Sequence, residues 1–193
     1  MKKALLLLAF LAPSIALFAQ TEKGTFVVSG ATNFNFSNSE QEFGVNNREV
    51  NQCNTTAYSF MPSIGYFVID NLSIGINCNI SEKTEEYKND NETKQSIFTL
   101  MPSAMYLFPI NGPIKPFLQV GFGYSSLTQK HYNTINDSYE GYSFGLGGGF
   151  SYFINKSVSV DLGLQYTYSA LDDNENAIHQ NAIGGNIGFS FYF

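Results

Sequence analysis

Charge is scarce in this chain of 193 residues, at 13% Asp, Glu, Lys and Arg. An ordinary soluble domain carries about a quarter. Two cysteines are too few for a disulfide-dense scaffold, and two histidines leave little material for metal or acid–base chemistry. Past residue 19 no apolar run lasts more than a few residues, whereas a membrane-spanning helix needs about 20. Trp is absent altogether. What the chain does have is 18 Phe, 12 Tyr and 17 Gly. Glycine weakens helices and aromatic residues favour strands, so this mixture points to an all-β protein.

The first residues read as an export signal. Lys2 and Lys3 precede the apolar stretch Ala4–Ala12, the run continues to Phe18, and Ala19 is a small residue at a plausible cleavage point. The expected division is 1–19 signal peptide and 20–193 barrel domain. Removing 19 residues leaves 174 and takes two lysines away, so the net charge moves from −6 to −8.

After that segment apolar residues recur at every second position, the signature of strands. Tyr58, Phe60, Pro62, Ile64, Tyr66 and Val68 share one face, as do Leu72, Ile74, Ile76, Cys78 and Ile80. Eight such segments can be traced, ending with Ile183, Ile187, Phe189, Phe191 and Phe193. The residues between them are small and polar, such as Ser59, Ser63, Asn77, Asn79, Gln119, Gly145 and Thr167. A soluble sandwich buries its apolar face and shows charge to water. Here the apolar face is free of charge and the other almost so, which suits an apolar face against lipid and a polar face lining a narrow interior.

Connections alternate in length. Residues 69–71, 109–113 and 155–156 are short turns; 38–54, 81–95, 128–138 and 170–180 are long and polar. Transmembrane barrels pair short periplasmic turns with longer outer loops. Eight strands of roughly 11 residues leave enough chain for these connections. The expected fold is therefore all-β, an eight-stranded antiparallel up-and-down transmembrane β-barrel. Such a sheet must close, because lipid offers no partner for an open edge. Two of its hairpins look alike, Tyr66–Ile74 and Tyr152–Val160, and Met61-Pro62-Ser63 recurs as Met101-Pro102-Ser103. Proline cannot donate to a ladder, so a bulge or a missing rung is expected at Pro62 and Pro102.

With the segment Gly65-Tyr66-Phe67-Val68-Ile69-Asp70-Asn71-Leu72-Ser73-Ile74-Gly75 and the ending Ile187–Phe193, the chain resembles the small bacterial outer-membrane β-barrel proteins, the group of OmpX, the OmpA membrane domain and the opacity proteins. The resemblance implies the outer membrane of a Gram-negative bacterium as location. It also implies that Phe189, Phe191 and Phe193 serve as an assembly signal read by the barrel-assembly machinery. No peptidoglycan-binding domain follows Phe193 in this sequence, so that role does not carry over.

No catalytic, cofactor or metal site emerges. His131 and His179 fall in expected loops, and no nucleophile stands at a telling distance from either. Cys53 and Cys78 differ in parity and lie far apart in the expected register, so both read as free thiols. Twelve of the 16 acids fall in the four long loops against five cations, a loop charge of −7. That excludes nucleic acid as a partner. It leaves outer-membrane lipid, lipopolysaccharide sharing divalent cations with the acidic rim, and a surface partner of unknown identity.

The expected role is a monomeric structural or surface-interaction barrel with a closed lumen. A small porin is the alternative, and a lipid-modifying enzyme or protease a second one. Closure rests on Phe67, Met105, Leu107, Phe117, Phe153 and Tyr192, which all point inward at the same end and read as a plug. Asp161 is expected beside them, paired with Lys115, because an unpaired buried charge is costly. Eight crossings place both termini in the periplasm. An epitope tag at Tyr87 should therefore react with antibody on intact cells, and a tag seen only after the outer membrane is permeabilised would refute the topology.

Overall fold

The computed structural model describes residues 21–35, 53–87, 92–131, 137–172 and 177–193. Eight strands follow in order: β1 (Phe26–Asn35), β2 (Cys53–Ile69), β3 (Leu72–Tyr87), β4 (Glu92–Leu107), β5 (Ile114–His131), β6 (Asp137–Asn155), β7 (Val158–Asp172) and β8 (Ala177–Tyr192). Each pairs antiparallel with the next, and β1 pairs with β8 to close the barrel. Beyond the last strand, Phe193 and Phe26 exchange a backbone pair, each N–H donating to the other's carbonyl at 2.9 and 3.0 Å.

The barrel is apolar outside. Leu162, Leu164 and Ile183 are 62%, 67% and 69% exposed, while Phe67 and Leu107 are fully buried inside. Exposed apolar surface on this scale would be untenable in water, and it needs the hydrocarbon of a bilayer. On β2 the outward apolar run extends from Tyr66 to Tyr58. Eight residues at about 3.3 Å each, on a strand tilted by roughly 40°, cover about 20 Å of bilayer height.

The strands are longer than the sequence suggests. Most of 81–95, 128–138 and 170–180, expected as loops, is paired strand: Glu86 faces Glu92, Gln129 faces Asp137 and Asp172 faces Ala177. Ladder hydrogen bonds add residue by residue and do not need lipid, so pairing continues beyond the apolar band. His131 and His179 are consequently strand residues, not loop residues. Tyr87 pairs with Cys53, so an epitope is better placed after it, within 88–91. The expected loop 38–54 lies largely outside the described residues.

Local chemistry sets the details. The β2–β3 ladder lapses at Met61 and Pro62, and the β4–β5 ladder at Met101 and Pro102. These are the missing rungs that proline's lack of an N–H demands. The two similar hairpins share one irregularity. The register shifts between Phe67 and Ile69 in the first, and between Phe153 and Asn155 in the second. Ile69, not Val68, therefore faces Leu72. Asn71 takes the left-handed conformation (φ 67°) that such a tight connection requires, which Asn tolerates well.

Cys78 is a free thiol. Cys53 faces Tyr87, nine residues along β3 from Cys78, or about 30 Å at the usual strand rise. A disulfide between them is geometrically excluded.

Phe189, Phe191 and Phe193 point to the lipid side of the closing strand. Removing the Phe193 side chain leaves its backbone pair with Phe26 intact. Phe193→Ser is therefore expected to refold in detergent with nearly unchanged melting, while the folded, heat-modifiable fraction in cells falls several-fold. Normal insertion in cells would refute an assembly role.

Candidate functional site in the barrel lumen

An eight-stranded barrel is just wide enough for side chains to fill it. Its lumen is the candidate site, and three layers occupy it. At the end carrying the short turns, Val27, Phe67, Leu107, Phe153 and Tyr192 are buried against one another, with Met105 and Phe117 packed on them. The Tyr192 ring lies 5.2 Å from that of Phe153 and 6.2 Å from that of Phe67. All six residues of the expected plug thus come together, joined by Val27. The missing side chain at Gly163 gives Phe117 its space: a Cβ there would sit 3.2 Å from Phe117 Cζ.

The N-terminal segment before β1 underlies this layer, which periodicity gave no sign of. Gly24 N–H donates to the Phe67 carbonyl, Phe67 N–H to Thr25, and Asn71 N–H to Thr21, at 2.7–2.9 Å. The Thr21 hydroxyl also donates to Asn71 Oδ1 at 2.7 Å. Four peptide and hydroxyl groups are satisfied in this way, and the strap is tied to the β2–β3 turn.

Above the apolar layer the lumen is polar. A cavity of about 110 Å³ is lined by Asn77, Gln119, Asp161, Gln165 and Asn186 among others. A second, also about 110 Å³, is lined by Asn33, Ser81, Thr99, Ser125 and Gln180. Both linings mix polar and apolar groups, the first reaching Met105, Phe117 and Tyr192 of the apolar layer, and each is roomy enough for several waters. Asn33 Oδ1 is buried with no protein partner, and it borders the second cavity. Cross-strand hydroxyl pairs stitch the wall: Ser29–Ser190 at 2.7 Å, Thr99–Ser125 at 2.7 Å and Ser143–Ser169 at 2.6 Å. In each pair the two residues face each other directly in the ladder, where short side chains meet best.

Asp161 differs from its expected arrangement. Its carboxylate accepts hydrogen bonds from Ser159, at 2.8 Å, and from Ser190. Lys115 instead lies over the Phe153 ring, with Nζ 5.2 Å from the centroid, and no ion pair joins the two among the described residues. The bulge at Phe153–Asn155 and the inward aromatic ring offer the ammonium a cation–π contact. Two hydroxyl donors then stabilise the carboxylate without a counter-ion.

The third layer was also unforeseen. Toward the long-loop end, Leu127 is fully buried and Leu171 nearly so, with Ile97 lining the cavity beside them. Ile97 faces Leu127 across the β4–β5 ladder. Their odd numbers place them on the inward face of their strands, so parity alone could have found them. His179 stacks on Tyr168 and shares a 3.0 Å hydrogen bond with its hydroxyl on the outer wall. It is not beside an acid and nucleophile. No cluster of His, Cys, Asp and Glu suited to a metal occurs among the described residues.

A closed antiparallel barrel of eight strands, apolar outside and polar within, agrees with the sequence comparison. The profile of the outer membrane protein beta-barrel domain matches residues 4–191. The chain belongs to that family. No curated protein matches the sequence. Among solved structures, Neisserial surface protein A is 16% identical, with a TM-score of 0.53 over 88% of this chain and 96% of that one. The N-terminal barrel domain of Pseudomonas aeruginosa OprF is 15% identical, with a TM-score of 0.53 over 89% and 98%. The attachment invasion locus protein Ail of Yersinia pestis is 14% identical, with a TM-score of 0.52 over 89% and 99%. At these identities the likeness is one of fold.

The packing of the apolar layer makes a direct prediction. Leu107→Ala should destabilise the refolded barrel by about 2–5 kcal/mol, the usual cost of a cavity at a buried leucine. Urea unfolding in lipid vesicles measures it. A loss under about 0.5 kcal/mol, typical of a surface position, would mean that the layer is not packed.

Proposed function

We propose that the protein is a non-conducting, monomeric outer-membrane barrel, which holds its polar connections at the cell surface and has no enzymatic role. The observation that carries this reading is the apolar layer of Phe67, Leu107, Phe153 and Tyr192 with Met105 and Phe117 across the lumen. Several rings at one level of so narrow a barrel leave no continuous water column. The cavity above is floored by Met105, Phe117 and Tyr192 of this layer. The short turns and both termini face the periplasm in this reading. The signal at the N-terminus directs export, and the alternating ending on β8 is recognised by the barrel-assembly machinery.

Surface partners are then chosen by what projects beyond the membrane. Ail has been solved with the heparin analogue sucrose octasulfate. The long-loop end of the present chain, taken as residues 38–54, 81–95, 128–138 and 170–180, carries a charge of −7, which repels a polysulfate. Lipopolysaccharide, a protein surface or a bridging divalent cation suits them better.

A porin is the competing reading, and planar-bilayer conductance separates the two. The unmutated protein is expected to give no stable open level. The triple variant Phe67→Ala, Phe117→Ala, Phe153→Ala is expected to open a channel if it retains heat-modifiable folding. A steady channel in the unmutated protein would defeat the closed-lumen reading.

A further inference from the structure

Toward the long loops, the outer wall of β7 and β8 ends in a preset aromatic surface. The apolar band closes there with Leu164 and Ile183, which at 67% and 69% are the most exposed large apolar side chains among the described residues. From that edge outward the facing pairs are Tyr166–Ile183, Tyr168–Asn181 and Ala170–His179. A girdle of aromatic residues is usual at a barrel's interface, and a tyrosine there has one apolar end and one wet end. Here both hydroxyls are committed to the opposite strand instead. The Tyr166 hydroxyl donates to Asn181 Oδ1 at 2.6 Å, and the Tyr168 hydroxyl bonds His179 Nδ1 at 3.0 Å. Each tyrosine thus leans outward, past the residue it faces. The His179 and Tyr168 rings lie nearly parallel, 13° apart in plane, with centroids 6.1 Å apart.

Locking the hydroxyls leaves a defined set of groups for a ligand. Asn181 keeps its Nδ2 and His179 its Nε2, since neither nitrogen is used in these bonds. Both residues are exposed. Asp172, also exposed and two residues beyond Ala170, sets a negative charge at the outer edge. No lysine or arginine occurs in β6, β7 or β8, so a phosphate would meet a carboxylate and no cation. The ligand that suits this surface has C–H faces for the rings, oxygens for the two nitrogens and hydroxyl groups for the carboxylate. That is the chemistry of a sugar. His179 stands four residues past Ile183, roughly 10 Å higher on a strand tilted by about 40°. The surface therefore continues the band that lipid covers, and the sugar it meets is one carried on acyl chains.

We propose that this wall binds a sugar of an outer-leaflet glycolipid, with the sugar ring over Tyr168 and His179 and the acyl chains along Leu164 and Ile183. Asn181 Nδ2 and His179 Nε2 meet the sugar oxygens, and Asp172 accepts from a hydroxyl of the same or the next sugar. Rings already held in place lose little freedom when the ligand arrives. The assignment deepens the surface-barrel reading above and rests on its outward orientation of the long connections. It is independent of whether the lumen conducts.

The test uses the full-length protein refolded in zwitterionic detergent, with retained ligand counted by native mass spectrometry. The probes are dephosphorylated lipid A, phosphatidylethanolamine and the free glucosamine disaccharide. The unmutated protein should hold dephosphorylated lipid A about tenfold tighter than phosphatidylethanolamine, the worth of one or two ordinary hydrogen bonds. His179→Ala and Asn181→Ala should each weaken that preference, and together they should abolish it. Tyr168→Phe, which keeps the ring and frees it from His179, should weaken it less than Tyr168→Ala. Tyr152→Ala, exposed at the opposite end of the barrel, should leave it unchanged. His179 is one of two histidines, so its imidazole resonance can be followed directly. It should shift with dephosphorylated lipid A and stay in place with phosphatidylethanolamine. Heat-modifiable migration verifies that each variant is folded, and if Tyr168→Ala does not fold, the exposed His179 and Asn181 variants decide the matter. An unchanged preference in the folded double alanine variant overturns the proposal. So does phosphatidylethanolamine held as tightly as lipid A, which would leave an ordinary interfacial belt, or free disaccharide held as tightly, which would assign a soluble glycan. Binding in detergent does not depend on orientation. A tag within 88–91 reached only after permeabilisation would therefore overturn the outer-leaflet assignment separately.

Discussion

In hydrocarbon no water pairs with a peptide group, so every backbone N–H and C=O that crosses the membrane must find a partner in the protein. For a sheet this means closure, and β1 and β8 meet along their length with Phe26 and Phe193 as the last exchange. Closure with eight strands then fixes the bore at about the width of a few side chains. The apolar wall, the polar lumen and the packed layer near the turns all follow from these two conditions. A side chain on such a strand either meets lipid or competes for a very small interior.

That competition explains the composition of the lumen. Serine, threonine and glycine dominate the inward positions because larger groups would collide. Where their hydroxyls face one another in the ladder they satisfy each other at 2.6–2.7 Å. The same narrowness allows a carboxylate to remain inside. Asp161 is close enough to the serines of its own and the neighbouring strand to be solvated by hydroxyl groups, and no lysine need be brought to it. Where large apolar side chains do enter, glycine makes room, as Gly163 does for Phe117. Hydrogen bonds from the N-terminal strap then tie the end of the barrel beneath them.

Much of this was legible in the residues. Alternation gave the eight strands and their two faces, because the side-chain period of a strand is two and one face had to be uniformly apolar. Pro62 and Pro102 marked their own missing rungs. Phe67, Met105, Leu107, Phe117, Phe153 and Tyr192 could be assigned to one end of the interior from parity and strand direction alone. The ends of the strands were not legible, since a polar residue paired in water looks like a polar residue in a loop. This is why Glu85, Glu92 and Asp137 were expected in loops. Leu127 and Leu171 were overlooked among polar inward neighbours. The strap at Thr21–Thr25 carries no period at all, and its place follows from tertiary hydrogen bonds.

The sequence by itself determined the fold class, the lipid-facing surface and the direction of each side chain, because these depend on a local alternation that a slip of one residue would invert. Tertiary structure alone decided which inward groups touch. Whether Asp161 takes Lys115 or two serines, and whether His179 stands beside Tyr168, depends on the register between strands. That register is set by the bulges at the turns and by the closure of the whole ring, which no single segment contains.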